Sequence, residues 1–454
     1  MAQAFFGGVH PHDMKAATNE KAIEQLAPPA VVVIPMSMHF GAPCTPLVKA
    51  GDHVKVGQKI GEFHGLGAPI HASVSGTVKA VEPRPYSMGG NITSVVIEND
   101  MQDEVSEEVQ APADPNALSV EEMVEIVKNA GIVGMGGATF PTHVKITSGI
   151  GKVNTVIING AECEPYITGD HRTMLERPEE IIGGAKFLAK MFGVDKVVIG
   201  VEDNKRNGID AMNKVIAEQK APVVVEPLRC RYPQGGEKQL CQAITGRQVP
   251  PGGLPADIGC AVFNINTTCA IYRALTTGMP VVRKIVTVSG SGVVEPKNLE
   301  CPIGTPVSSL LDACGGLKDG TYKLIAGGPM MGMAQYTADI SVAKGTGAIL
   351  AFCENEEKTV ENPQCIRCGK CVSVCPMHLE PLFMYQYASK GMVEELNDAH
   401  IMDCMECGAC AYVCPARVHL THMFKTGKQL VKNKMAADKA AAEAKKAAAE
   451  KKEA

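Results

Sequence analysis

Two runs of cysteine constrain this chain more than any other feature of its sequence. The first reads Cys365-Ile-Arg-Cys368-Gly-Lys-Cys371-Val-Ser-Val-Cys375-Pro376, and the second Cys404-Met-Glu-Cys407-Gly-Ala-Cys410-Ala-Tyr-Val-Cys414-Pro415. Both follow C-x2-C-x2-C-x3-C-P, the spacing of bacterial-type [4Fe–4S] ligation. Cysteines at intervals of three let one tight loop present three thiolates to three corners of a cubane. The fourth cysteine starts the next element, and the proline turns the chain away. In a two-cluster arrangement that fourth cysteine serves the other cluster. One ligand set is therefore Cys365, Cys368, Cys371 and Cys414; the other is Cys404, Cys407, Cys410 and Cys375. A pair of zinc sites needs only two C-x2-C hooks, or hooks with His, and leaves the third hook and the Cys-Pro unexplained.

The chain has 454 residues, 17 cysteines and no Trp. The nine cysteines outside the two runs show no hook spacing and read as small buried hydrophobes. Residues 1–6 carry no basic segment ahead of an apolar one, so no export signal is expected, and disulfides are not called for. The 44 Lys and Arg against 49 Asp and Glu give a net charge of -5, which excludes a basic nucleic-acid-coating protein. No apolar run approaches the ~18 residues that a membrane-spanning helix requires.

Six segments follow from composition and pattern. Residues 1–99 comprise an arm and then short β-rich runs broken by Gly51-Asp52 and Ser75-Gly76, resembling a lipoyl-like barrel-sandwich module. No Lys stands at its hairpin tip to carry a cofactor, so packing is the expected role. An acidic, Pro-containing stretch over 99–117 reads as a linker. Ser119-Val-Glu-Glu122 is a capping box that opens a helix, and the β–α alternation after it makes 118–280 an α/β domain. Residues 281–353 are β-rich and Gly-punctuated, 354–424 hold the cysteine runs as a ferredoxin-like domain, and 425–454 form an Ala/Lys/Glu tail expected to be frayed or disordered. The whole is expected to be a multidomain α/β and β protein.

Gly131-Ile-Val-Gly134-Met-Gly136-Gly137-Ala-Thr-Phe140-Pro141, with Lys145 nearby, offers a backbone that a phosphate or a flat ring can approach without Cβ clashes. Asn159-Gly-Ala-Glu162-Cys-Glu164 ends a strand, where open α/β sheets bind ligands. Tyr232-Pro-Gln-Gly235-Gly236-Glu237 and Phe263-Asn264-Ile-Asn266-Thr267-Thr268 add two further polar loops. These four segments resemble the FMN and nicotinamide site of the NADH-oxidising subunit of respiratory complex I, and the stretch after them resembles that family's soluble-ligand-binding β-grasp.

End to end, the chain resembles the C subunit of the Rnf electron-transport complex. The resemblance rests on Phe6-Gly-Gly-Val-His10-Pro11, the motif from Gly134 to Lys145, and the paired cysteine runs. It implies that Gly134, Gly136, Gly137, Lys145 and Asn159 bind FMN, with Asn264 and Thr268 at its phosphate end. Glu162 and Glu164 would line the mouth, Phe140 would stack on the dinucleotide, Glu237 would sit near the nicotinamide, and Gly235 would be cofactor-binding. Glu237 and Glu164 are the catalytic candidates. Gly236 and Ile265 depart from the complex I pattern, which has an acidic residue and an Asn there.

The implied activity is ferredoxin:NAD oxidoreduction, with hydride exchanged between NAD(H) and FMN and single electrons relayed through two [4Fe–4S] clusters. The implied partners are the other Rnf subunits, membrane-embedded and ferredoxin-like, with peripheral attachment at the cytoplasmic face of the membrane and no nucleic acid. A cobalamin-reductase-type enzyme shares the flavin and cluster parts but is arranged with its flavin domain first. An electron-relay scaffold with a vestigial nucleotide site is the remaining alternative.

Overall fold

The computed structural model describes residues 5–354 and 360–453, with side chains described through 444. Residues 1–4, where most of the export-signal reading falls, lie outside the described residues, as do 355–359 at the start of the expected ferredoxin-like segment and 454 at the end of the tail.

The first module is built from two small antiparallel sheets. Val31–Pro35, Asn91–Asn99, Gly76–Pro85 and His53–Val54 form one; Thr45–Pro46, Lys59–Glu62 and Ile70–His71 form the other. The period of two is plain in Val31–Pro35, where Val32 and Ile34 are buried while Val31 and Val33 are half-buried. Each fully buried side chain of this kind contributes about 1.5–3 kcal/mol. Gly76 has φ 148°, and a Cβ there would stand 2.0 Å from the Glu98 carbonyl oxygen, so the turn admits only glycine. The stretch read as a linker packs back on the module. Val56 N donates to Glu104 O at 2.8 Å, and Ser106 N to Val56 O at 2.9 Å.

The α/β domain opens as its capping box predicts. Ser119 caps the helix Val120–Asn129 by accepting from Glu122 N, while the Glu122 carboxylate accepts from Ser119 N. Four parallel strands follow, in the spatial order Val223–Leu228, Val197–Glu202, Thr155–Gly160, Cys260–Asn264. The first three run outward in one direction, and the last lies on the other side of Thr155–Gly160. The order therefore reverses between Thr155–Gly160 and Cys260–Asn264, and a crevice opens at their carboxyl ends. The helix Pro178–Phe192 packs against Ile265–Thr277 through Gly184, where a Cβ would lie 2.2 Å from Thr268 O.

The β-grasp sheet contains Lys297–Pro302, Arg283–Ser289, Ala348–Cys353, Thr321–Ala326 and Met333–Gln335. Its outermost strand is Ile23–Gln25 from the N-terminal arm, paired in parallel with Lys297–Pro302. Sequence order assigns that arm to the first module; the structure gives its strand to the third. The tail also differs from expectation. A helix spans Leu420–Glu453, and its first turns bury Phe424 and Val431 against Met384, Leu396 and Ile401. Those apolar anchors hold the part near the cysteine loops, whereas residues 436–444 are exposed.

Candidate flavin site and cysteine loops

Asn159 and Asn264 are register partners on the two strands flanking the crevice. Asn159 Nδ2 donates to Gly235 O at 2.8 Å, which ties the loop before Glu237 to the sheet. Asn264 caps the helix Ile265–Thr277 by accepting from Asn266 N and Thr267 N. The glycine-rich loop lies over this cap. A Cβ on Gly136 would meet Asn264 Nδ2 at 2.7 Å, and Met135 N donates to Thr267 Oγ1 at 2.9 Å. Over Gly137 a Cβ would meet nothing within 4 Å, so the loop presents open backbone on that side. Lys145, on the helix that follows, donates to Glu237 Oε1 at 2.7 Å and to Val262 O at 3.0 Å. Glu237 itself begins the helix Glu237–Thr245, where a carboxylate is favoured by the N-terminal partial charge.

The structure thus brings together Gly134, Gly136, Gly137, Lys145, Asn159, Gly235, Glu237 and Asn264. Thr268 stands apart: its hydroxyl donates to Asn264 O at 3.0 Å, and its methyl is pressed toward Gly184. Glu164 is tied to a second domain. Its carboxylate accepts from Met330 N at 3.1 Å and Met331 N at 3.0 Å, joining the α/β domain to the β-grasp. Glu162 is buried and accepts from Asp170 N at 2.7 Å. Burial raises both carboxyls to about 7.

Several residues at this site carry no local signal in the sequence. Lys15, from the arm, is buried and donates to Glu162 O at 3.0 Å, to Glu164 O at 2.9 Å and to Ile167 O. Asp170 holds the amides of Asn264 and Asn266 at 2.8 and 2.5 Å. Lys284, from the β-grasp, reaches Met135 O at 3.2 Å. Phe40, from the first module, stands 6.0 Å from Phe140 between ring centroids. Each comes from a different stretch of chain, so only packing reveals it.

The two cysteine loops repeat one backbone geometry. Arg367 and Glu406 sit at φ 55° and 57°, and Gly369 and Gly408 at 74° and 79°. Short helices follow at Lys370–Ser373 and Ala409–Tyr412. Cys375, Cys404, Cys407 and Cys410 line one cavity with Leu379, Met384 and Phe424. Burial pushes the Cys407 thiol up to about 12, with Cys404 and Cys375 acting in the same direction. Cys371 is raised by burial and by Cys365 and Cys414. Cys375 thus lies with the second run and Cys414 near the first, and a soft four-thiol cavity of this kind suits an iron–sulfur cubane. Cys365 and Cys368 are exposed.

The enclosed thiol cavity adjoins the crevice. Tyr232 OH donates to Cys407 O at 2.6 Å, and Gln239 Nε2 to Pro376 O at 3.3 Å. A glycine-lined crevice at a strand-order reversal, joined directly to two cubane-type cysteine loops, defines a flavin- and iron–sulfur-containing electron-transfer protein. Family models agree along the chain. An RnfC barrel sandwich hybrid domain matches 3–102, a Nuo51 FMN-binding domain 127–273, an SLBB domain 285–334 and a 4Fe-4S dicluster domain 364–418. The chain is 45% identical to the C subunit of the Na(+)-translocating ferredoxin:NAD(+) oxidoreductase complex of Acetobacterium woodii, over 88% of this chain and 90% of that one. To the proton-translocating counterpart of Clostridium ljungdahlii it is 43% identical, over 88% of each. To the C subunit of the ion-translocating oxidoreductase complex of Rhodobacter capsulatus it is 41% identical, over 83% of this chain and 73% of that one. The chain belongs to the C-subunit family of ion-translocating ferredoxin:NAD(+) oxidoreductase complexes.

Proposed function

We propose that this chain is the NAD(H)-reacting module of such a complex, exchanging hydride between NAD(H) and FMN and passing single electrons through two [4Fe–4S] clusters. The observation that carries this reading is the Tyr232–Cys407 hydrogen bond, which sets the nucleotide-side loop against the enclosed thiol cavity. Bound FMN supplies the link between the two-electron chemistry of nicotinamide and the one-electron chemistry of iron–sulfur clusters.

The residues divide the work. Gly134, Gly136 and Gly137 would give bound FMN close backbone approach, and Lys145 would supply positive charge to it. Asn159 and Asn264 orient its polar ends, while Thr268 acts from beneath by fixing the Asn264 carbonyl. Glu237 and Gly235 would contact the dinucleotide, and Phe140 would offer it a stacking surface. Glu162 and Glu164 hold the loop that walls the crevice. Cys404, Cys407, Cys410 and Cys375, which would hold one cluster, line the cavity next to the crevice; Cys365, Cys368, Cys371 and Cys414 would hold the other, with Cys365 and Cys368 exposed toward a partner. That partner is another component of the complex, membrane-embedded or ferredoxin-like. No helix among the described residues is long and apolar enough to cross a membrane, so attachment runs through those partners, at the cytoplasmic face.

The test is the absorbance of anaerobically purified, iron-reconstituted protein. NADH should bleach the flavin band and drive reduction of an artificial acceptor. Absence of NADH-dependent bleaching in FMN-loaded protein would refute the dehydrogenase reading.

A further inference from the structure

A cavity of about 90 Å³ lies between the helix Ile265–Thr277 and the β-grasp strand Arg283–Ser289. Its size is several times what a single water requires. Met135, Ala270, Arg273, Arg283, Lys284 and Glu300 are among the residues that line it. None of Gly134, Gly136, Gly137, Lys145, Asn159 or Asn264 does, so the cavity is separate from the crevice at the strand ends.

Its walls carry more positive charge than their partners neutralise. Lys284 is 4% exposed, and its ammonium donates to the Met135 carbonyl at 3.2 Å. Among the described residues no carboxylate pairs with it directly. Asp170 acts on it only at longer range, its own oxygens holding the amides of Asn264 and Asn266. Burial lowers the Lys284 ammonium to about 8 while Asp170 acts the other way, so it is charged at neutral pH. Arg273 is shared between Glu180 and Glu300, and Glu300 also accepts from Arg177. Arg283 donates to the Gln25 amide oxygen at 2.8 Å and to the Glu300 backbone carbonyl at 3.2 Å, both neutral acceptors. A buried cation with no paired anion is costly, and an anion admitted to the cavity offsets that cost.

We propose that this cavity is a binding site for a small oxyanion such as inorganic phosphate, held by the Lys284 ammonium and the Arg273 and Arg283 guanidiniums. Hydrogen bonds between ionised partners are the strong ones, and a guanidinium presents parallel donors to an oxyanion. The site joins two domains, because Arg273 stands on a helix of the flavin domain while Arg283 and Lys284 begin a β-grasp strand. Through the Lys284–Met135 bond it also adjoins the glycine-rich loop. The site stands whether or not the crevice reacts with NAD(H).

The experiment is calorimetric titration of inorganic phosphate into the full FMN-loaded chain, in which the flavin's own phosphate already fills its place. Sodium chloride at matched ionic strength is the reference. Phosphate should bind at one site per chain, and it should raise Tm where chloride does not. Lys284→Met should weaken phosphate binding about tenfold; the variant should fold, since it removes an unpaired buried charge and keeps the apolar stem. Ala270→Leu fills the cavity and leaves all three cations in place, and it should weaken phosphate binding as well. Phosphate affinity unaltered in either variant would overturn the site. So would stabilisation by chloride equal to that by phosphate. Phosphate binding seen in FMN-free protein but absent from the loaded chain would also overturn it, because the anion would then occupy the flavin's phosphate position.

Discussion

The Tyr232 hydroxyl and the Cys407 carbonyl oxygen, 2.6 Å apart, join the nucleotide-side loop to a cysteine loop 175 positions further along the chain. Tyr232 is buried, and its backbone also pairs with Val9 of the arm in both directions, at 2.8 and 2.9 Å. Three distant segments therefore meet between the crevice and the enclosed thiol cavity.

Replacing Tyr232 with Phe keeps the packing but leaves the Cys407 carbonyl without its donor. A buried acceptor left unpaired costs about 1–3 kcal/mol. The expected outcome is a lower Tm together with an altered EPR spectrum of the enclosed cluster and an unchanged spectrum of the exposed one. Equal changes in both spectra would show that the bond has no local role.

The crossed ligand sets predict which substitutions share a phenotype. Cys375→Ser should remove the same EPR signal as Cys404→Ser, although Cys375 lies in the first run. Cys414→Ser should match Cys368→Ser. Iron analysis should fall by about one cluster in each. If Cys375→Ser matched Cys368→Ser instead, each loop would hold its own cluster.

Lys15 satisfies three backbone carbonyls of the loop that follows Asn159. Lys15→Met strips those acceptors of their donor, while it also relieves the desolvation of a buried ammonium. The net loss should be about 2–3 kcal/mol in chemical denaturation, with FMN retained less well after gel filtration. Full FMN retention in a stable variant would separate the arm from the site.

Glu164 supplies a pH dependence of defined sign. Burial raises its carboxyl from 4.5 to about 7, so between those values the folded state holds a proton that the unfolded chain has released. Its contribution is complete below pH 4.5 and is lost as the pH rises through about 7, a gap of about 3 kcal/mol. Glu164→Gln cannot release a proton. Its stability relative to the unaltered protein should therefore improve between about pH 5.5 and about pH 8, as measured by urea unfolding at both. A constant difference across that range would contradict the assignment.

How much of this is legible in the sequence differs by element. The capping box at Ser119 and the helix Pro178–Phe192 are local patterns, since their hydrogen bonds close within a few residues. The tail reads as disordered because Ala, Lys and Glu lack an apolar stripe over most of its length, yet two buried anchors, Phe424 and Val431, seat its start. Glu164 reads as a crevice residue from its place after a strand. Its rotation toward Met330 and Met331 depends on a β-grasp loop more than 160 residues away.

The sequence by itself determined the form of the two cysteine loops and of the glycine-rich loop. Thiol spacing around a cubane and open backbone at consecutive glycines are both short-range geometry. Only the tertiary structure decided which cysteine set is enclosed and which faces outward. It alone brought Lys15, Phe40, Asp170 and Lys284 to the crevice and its loops from separate stretches of chain. Side chains of that kind are placed by packing between domains, and packing leaves no periodicity for a single sequence to display.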